Sequence, residues 1–217
     1  MPNGLLATAS LSAATETTIY VPPTGISATC FITLTRLVQT DTTVRVSVPL
    51  ALPSPEETFI EYDALLEANR PITIGPIYLA DEQPSNSRRI AAYSTLADTS
   101  VSVVGIEKSI SSGSVNVQGA VKPLTGTPTL VVDSPASGFN TVGMLIACNQ
   151  SATQDTIRYA IASTSTPTDA EYVGELILNQ SYPRHFENII LSPSDKLVVQ
   201  SANGTSNFLF TGIVGAI

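Results

Sequence analysis

The residues of this chain best able to do chemistry are its carboxylates, grouped at Glu56-Glu57, Glu61, Asp63 and Glu67 and again at Asp81-Glu82. Two acids facing one cleft about 5 to 9 Å apart would suit glycoside hydrolysis. Nothing in this spacing secures that geometry, and the later part of the chain offers only Asp169, Glu171 and Glu175 at the matching place, so solvated acidic loops are expected. Asp81-Glu82 could contribute to a calcium site, yet no D-x-D-x-D-G loop accompanies them. His185 is the sole histidine, set in Tyr182-Pro183-Arg184-His185-Phe186 without a C-x-x-C or H-E-x-x-H partner set, and reads as a loop or edge residue. No nucleophile with an orienting carboxylate goes with it. No glycine-rich phosphate loop and no G-x-S-x-G elbow is present. Cys30 and Cys148 lie in apolar stretches and are expected as buried free thiols rather than a disulfide. No catalytic, cofactor-binding or metal-binding residue is therefore assigned; the expectation is a protein that is not an enzyme and carries no cofactor.

Composition narrows the partners. Formal charge is -8, with -5 up to residue 110 and -3 after it, which argues against a nucleic-acid surface, since phosphate binding draws on clustered Lys and Arg. Arg88-Arg89 is the only adjacent basic pair and reads as solvated edge residues. No apolar run approaches the ~18 residues of a membrane span, and no basic leader with an apolar core opens the chain, so neither a membrane nor a secretory route is expected. Without such a route, Asn149-Gln150-Ser151, Asn179-Gln180-Ser181 and Asn203-Gly204-Thr205 read as chance matches to the glycosylation pattern. There is no tryptophan and aromatic content is 6%, a poor supply for a stacked-ring carbohydrate groove; Tyr62, Tyr78, Tyr93, Tyr159, Tyr172 and Tyr182 read as partly buried packing.

The elements that would position any site are strands, and they come in two similar sets. Residues 17 to 106 and 127 to 214 carry a matching order of short apolar segments. Val44-Arg45-Val46-Ser47-Val48 is answered by Ile157-Arg158-Tyr159-Ala160-Ile161, Glu61-Tyr62 by Glu171-Tyr172, and Thr99 to Ile106 by Ser206 to Ile213. Hydrophobic residues make up 43% and charged residues 13%, while Ser and Thr number 50, which suits antiparallel strands with polar, uncharged outer faces. Alternation and turn signals place strands near 18–21, 29–37, 43–48, 58–62, 72–79, 89–94 and 101–106, then near 129–132, 142–148, 156–161, 171–178, 188–191, 196–200 and 207–214. Seven short strands per unit imply an all-β chain of two tandem antiparallel sandwiches, jelly-roll-like or immunoglobulin-like. The units are 1–110, with the first ten residues or so as an arm, and 111–217. Residues 107 to 126, with Ser111-Ser112-Gly113-Ser114, form the junction, and Val115, Val117 and Val121 allow a short pairing strand within it. Ser54-Pro55-Glu56-Glu57 resembles a helix start, but the matching stretch after Glu171 has a central glycine, which favours strand over 58–63 and leaves 64–70 open.

Inward positions follow from the alternation: Val44, Val46, Val101, Val103, Ile157, Phe208 and Phe210 are expected in the cores. Arg45 and Arg158, placed alike, should face outward or meet a carboxylate. Only Lys108, Lys122 and Lys196 are available to block strand edges, and the chain ends in the apolar run Phe208 to Ile217, so edges and apolar patches are expected to be covered by self-association.

Thr17-Thr18-Ile19-Tyr20-Val21-Pro22-Pro23 before a long apolar strand, with Val101-Ser102-Val103-Val104-Gly105-Ile106-Glu107 closing the unit, resembles the small β-sandwich modules of tailed-bacteriophage structural proteins. The second copy keeps the closing Gly212-Ile213 but opens on Thr129-Leu130-Val131-Val132-Asp133 without the Pro-Pro. The resemblance implies a non-enzymatic virion component, tail-associated or a capsid-decorating cement protein, assembled in the host cytoplasm. It would associate with other virion structural proteins and with itself, as a trimer or hexamer. A glycan or host-receptor-binding module of the virion is the alternative.

Overall fold

The computed structural model describes residues 3–80, 88–110, 115–180 and 182–216. The chain divides into two compact units, the first of residues 1–55 and 61–111, the second of residues 56–60 and 112–217. The first holds β1 (Asn3–Leu11), β2 (Thr17–Tyr20), β3 (Ile26–Arg36), β4 (Thr42–Ser47), β5 (Phe59–Leu66, except its first two residues, which fall in the second), β6 (Ile72–Ala80), β7 (Ile90–Ser94) and β8 (Thr99–Ser109). The second holds β9 (Val115–Val121), β10 (Thr129–Val132), β11 (Phe139–Asn149), β12 (Asp155–Ala162), β13 (Tyr172–Leu178), β14 (Arg184–Leu191), β15 (Lys196–Ser201) and β16 (Ser206–Ala216).

These strands form four separate four-stranded antiparallel sheets, ordered β1-β8-β3-β6 and β2-β7-β4-β5 in the first unit and β14-β11-β16-β9 and β10-β15-β12-β13 in the second. Among the described residues only β4–β5 and β12–β13 pair with a chain neighbour; the other ladders join strands distant in sequence. Adding eight to each strand number of the first unit reproduces the neighbours of the second. The registers agree too, with Arg36 opposite Thr99 and Asn149 opposite Ser206. Likewise Arg45 lies opposite Tyr93 and Arg158 opposite Gln200.

The expected architecture of two seven-stranded sandwiches, jelly-roll-like or immunoglobulin-like, is corrected to these four four-stranded sheets. Two strands account for the difference. The expected N-terminal arm is β1, whose Leu5 to Leu11 pair with Val104 to Thr99 of β8. Small alternating residues, Ala7, Thr8, Ala9 and Ser10, read as a loose tail because their strand character depends on β8, nearly a hundred positions away. The strand allowed within the junction is β9, which pairs along β16 and so belongs to the second unit's sheet. Ser111 to Ser114 lie outside the described residues. The supposed helix start becomes a single 3-10 turn, Glu56–Thr58, leading into β5. A second such turn, Asp169–Glu171, leads into β13. There the Glu171 carboxylate accepts from the Thr168 amide at 2.7 Å and the Thr168 hydroxyl at 2.9 Å, closing the turn as a reciprocal cap.

Period-two burial explains why these segments are strands. On β3, Ala28, Cys30, Ile32, Leu34 and Arg36 are buried while Thr29, Thr33 and Thr35 are only partly so. All seven side chains expected in the cores are buried: Val44, Val46, Val101 and Val103 in the first unit, and Ile157, Phe208 and Phe210 in the second. In the second unit one apolar cluster draws on both of its sheets, with Leu145, Ala147, Phe208 and Phe210 from one and Ile157, Leu178, Leu197 and Val199 from the other.

The repeated Gly-Ile near each unit's end now has a cause. A Cβ on Gly105 would stand 2.3 Å from the Thr29 carbonyl oxygen, and one on Gly212 would stand 2.8 Å from that of Val142 and 2.8 Å from the Phe210 ring. Each glycine lets β8 or β16 run close beside its neighbour.

Candidate functional site

The acids grouped between 56 and 67 do not converge. Glu56 meets Lys122. Asp63 holds Arg45 at 2.6 Å and Glu67 holds Arg70 at 2.6 Å. Glu61 points inward, buried, with its Oε1 unpartnered among the described residues. Asp81-Glu82 lie outside the described residues. His185 sits half-buried on β14 opposite Ile146, where burial lowers its pKa and nearby Glu187 offsets part of that. Among the described residues no three His, Cys, Asp or Glu side chains stand together as a metal site. Neither cysteine is in a disulfide and both are buried, and burial, with the Glu107 carboxylate nearby, pushes the Cys30 thiol up to about 12. A thiol so held is a poor nucleophile. The Arg88 and Arg89 guanidiniums are not simply solvated edge groups: they donate to the carbonyls of Val48 at 2.9 Å and Leu50 at 2.7 Å.

Two constellations recur at equivalent places. Arg45 lies with its guanidinium carbon 4.3 Å from the Tyr62 ring centre and 5.2 Å from that of Tyr93, and ion-pairs with Asp63. Arg158 lies 4.2 Å over Tyr172 and pairs with Asp169 at 3.3 Å. Both arginines therefore meet a carboxylate on the outer face, as their sequence positions imply. Where Tyr93 supplies a second ring, the second unit has Gln200, whose Oε1 accepts from Arg158 Nε at 2.8 Å. A half-open cavity of about 360 Å³ lies here, lined by Gly126, Thr156, Arg158, Glu175, Gln200 and Ala202.

The second recurring constellation is buried. In the first unit, Ser94 Oγ bonds Thr42 and Thr99 hydroxyls, each at 3.1 Å. At the corresponding places stand Asp155, Ser201 and Ser206, all buried. Asp155 accepts from the Ser201 hydroxyl, the Ser206 hydroxyl at 2.6 Å, the Asn203 amide at 3.0 Å and the Thr205 hydroxyl at 3.3 Å. Burial acts to raise its pKa, but these four donors outweigh it and hold the carboxyl below its ordinary value. The network ties β12 to the β15–β16 turn and is structural. Asp155→Asn is expected to cost about 2 kcal/mol in urea unfolding at neutral pH, because the amide nitrogen offers hydrogens where acceptors are needed. Because the folded-state pKa is depressed, the Asp155 contribution is present above about pH 4 and is lost as pH falls through the folded value; the variant should lack that acid limb.

The surface that stands out is apolar. On the outer face of the β1-β8-β3-β6 sheet, Leu5, Val104 and Phe31 form one cross-strand row, with Ile106 beside it, and all four are exposed. On the corresponding sheet of the second unit, Ile190, Val142 and Ile213 form a row across β14, β11 and β16, again exposed. Ile106 and Ile213 occupy equivalent positions. At the other end of the second sheet Met144, Ile146, Leu209 and Thr211 are buried. There the Asn207 amide donates to the carbonyls of Glu57 at 3.1 Å and Phe59 at 2.6 Å, so the turn at 56–58 covers that end of β16. Sequence reading registered the apolar C-terminal run but missed the rows, because the partners in each row come from strands far apart in the chain.

No family model and no curated protein matches the chain. Among solved structures, it is similar to the STIV MCP, at 10% identity over 99% of this chain and 96% of that one, with a TM-score of 0.35. It is similar also to the N-terminal CBM22-1-CBM22-2 tandem domain of Paenibacillus barcinonensis Xyn10C, at 10% identity over 90% of this chain and 80% of that one, TM-score 0.28. A third is a cupin 2 conserved barrel domain protein from Leptotrichia buccalis, at 10% identity over 100% of this chain and 85% of that one, TM-score 0.23. These names do not converge on one role, and at such TM-scores none carries a functional reading. The expected resemblance to tailed-bacteriophage sandwich modules is corrected accordingly. With it goes the expected role as a virion component, whether tail-associated, capsid-decorating or a glycan- or receptor-binding module of a virion.

Proposed function

We propose that this protein is a non-enzymatic assembly module whose copies associate with one another through the two outward apolar rows. The observation that supports this is the recurrence of an exposed, uncharged row on equivalent sheets of both units. Each row presents on the order of 300 Å² of apolar surface, within the range of the largest patch on a typical monomer, which is often functional. Each alone is below the ~800 Å² that each partner gives to a standard interface, so the rows act as separate weak contacts that add within one assembly. Around Val104 and Phe31 lie Thr33, Ser102 and Thr73, hydroxyl side chains that supply a polar rim. A second copy is the occupant that fits. Two chains of formal charge -8 repel least when they meet through uncharged surface, and neither row contains a charged side chain.

The test is molar mass by light scattering across a concentration series. A mass that is a multiple of 22.8 kDa and rises with concentration is expected, falling toward the single-chain value when Val142→Asp and Ile213→Asp are combined. Both side chains are exposed, so the pair should leave the fold intact, which circular dichroism would check. A single-chain mass at every concentration would overturn the reading.

A further inference from the structure

The second unit leaves one strand edge open in a way its counterpart does not. Among the described residues β13 is the outermost strand of the β10-β15-β12-β13 sheet, bonded to β12 on one side only. Its sequence, Tyr172-Val173-Gly174-Glu175-Leu176-Ile177-Leu178, has no lysine and no proline, the usual blocks on an edge. Val173 is 59% exposed, Leu176 40% and Ile177 60%, so apolar side chains stand free on both faces of the strand. On β5, the equivalent edge, only Leu65 is exposed among the large apolar residues, at 53%. An apolar edge strand exposed on both faces, with its outer backbone donors and acceptors facing solvent, is a ready template for pairing with another strand.

We propose that β13 is a pairing edge that takes the β13 strand of a second copy, antiparallel, across a two-fold axis. This goes beyond the apolar rows and rests on the same self-association reading. A two-fold contact uses the same patch on both partners and so closes after two copies. Charge selects the register. An axis through Glu175 would set that carboxylate against its own copy, which like-charge opposition disfavours. The ladder to β12 is irregular around Val173, since Tyr159 pairs with Gly174 and Ala160 with Tyr172, leaving 174–178 as the regular stretch. An axis through Leu176 uses that stretch. It places Leu176 opposite Leu176 and Glu175 opposite Ile177, while Glu175 keeps Arg158 of β12 as its cross-strand neighbour on the inner side. The paired edge covers on the order of 300 Å² of side-chain surface per copy, below the ~800 Å² of a standard interface. It therefore adds to the rows rather than replacing them, as a further weak contact within one assembly.

Disulfide trapping reads this register directly, because residues opposite one another in an antiparallel pair bring their Cβ atoms to about 4.5–5.5 Å. In the full chain, Leu176→Cys under mild oxidation is expected to give a covalent dimer on non-reducing gels. Thr164→Cys, on an exposed loop, should react at least tenfold more slowly. Leu176→Lys should lower the solution mass without changing the circular dichroism spectrum. Trapping at 176 no faster than at 164 would overturn the proposal. The two readings fail separately. A wild-type oligomer dispersed by the Val142 and Ile213 substitutions but not trapped at 176 removes the edge pairing alone, whereas trapping at 176 in a chain whose mass ignores those substitutions removes the rows alone.

Discussion

Replacing Phe210 by alanine should destabilise the second unit by about 3 to 5 kcal/mol, the range for removing a fully buried phenylalanine. Its ring is wholly inaccessible and lies against the glycine pair of β11 and β16, so close that a Cβ on Gly143 would stand 2.4 Å from Phe210 Cζ. The same apolar cluster holds Phe208, Leu145, Leu191 and Val199, contributed by four strands. The glycines leave the ring room but cannot fill the space once it is gone, since neither has a side chain to move inward. The loss should therefore sit at the upper end of the range. Urea unfolding checks it through a lowered midpoint at unchanged slope. Ile213→Ala, on the same strand but on the exposed row, should cost less than about 1 kcal/mol and serves as the matched control. Equal losses at the two positions would mean that the assigned faces of β16 are wrong.

The second large effect is on pH dependence. Glu61 is 4% exposed, its Oε1 has no partner among the described residues, and burial pushes its pKa up to about 8, with the Tyr62 amide opposing part of the shift. A carboxyl whose folded-state pKa exceeds its unfolded value binds its proton more tightly when folded. Its contribution is fully present below the unfolded value near pH 4.5 and is lost as pH rises through about 8. Across that window the loss is roughly 3 to 5 kcal/mol, at 1.36 kcal/mol per pH unit. Glu61→Gln, neutral at every pH, should unfold at nearly the same urea concentration as the wild type at pH 5 and at a clearly higher one at pH 8. His185 works in the opposite direction. Its pKa is lowered on folding, so stability rises as pH climbs through the ordinary histidine range. Comparing the two chains at each pH cancels that term. Parallel profiles for wild type and variant would show that Glu61 is solvated or paired.

The strand positions were largely legible because the relevant signal is local. Val44 and Val46 flanking Arg45, or Val101 and Val103 flanking Ser102, announce one buried and one open face within a few residues, and burial follows that pattern. The duplication was legible for the same reason, down to Arg45 and Arg158, each stacked on a tyrosine and held by an aspartate. β1 was not, since small alternating residues acquire a face only when β8 supplies one. The Thr168–Glu171 cap was missed although its four-residue pattern is in the sequence, because no helix follows it.

Local sequence thus carried an all-β chain with two matching strand sets, two cysteines set in buried apolar strands and a net charge of -8. Composition and period-two alternation carry that information within short windows. Tertiary structure alone decided which strands share a sheet, since nearly every ladder joins strands that are not chain neighbours. It also decided that Asp155 is served by donors from residues 201 to 206, that Glu61 is buried without a full set of partners, and that Val142 meets Ile190 and Ile213 in one exposed row. Those outcomes depend on chain closure over tens of residues, where pairing energy is shared among many contacts and leaves no local pattern.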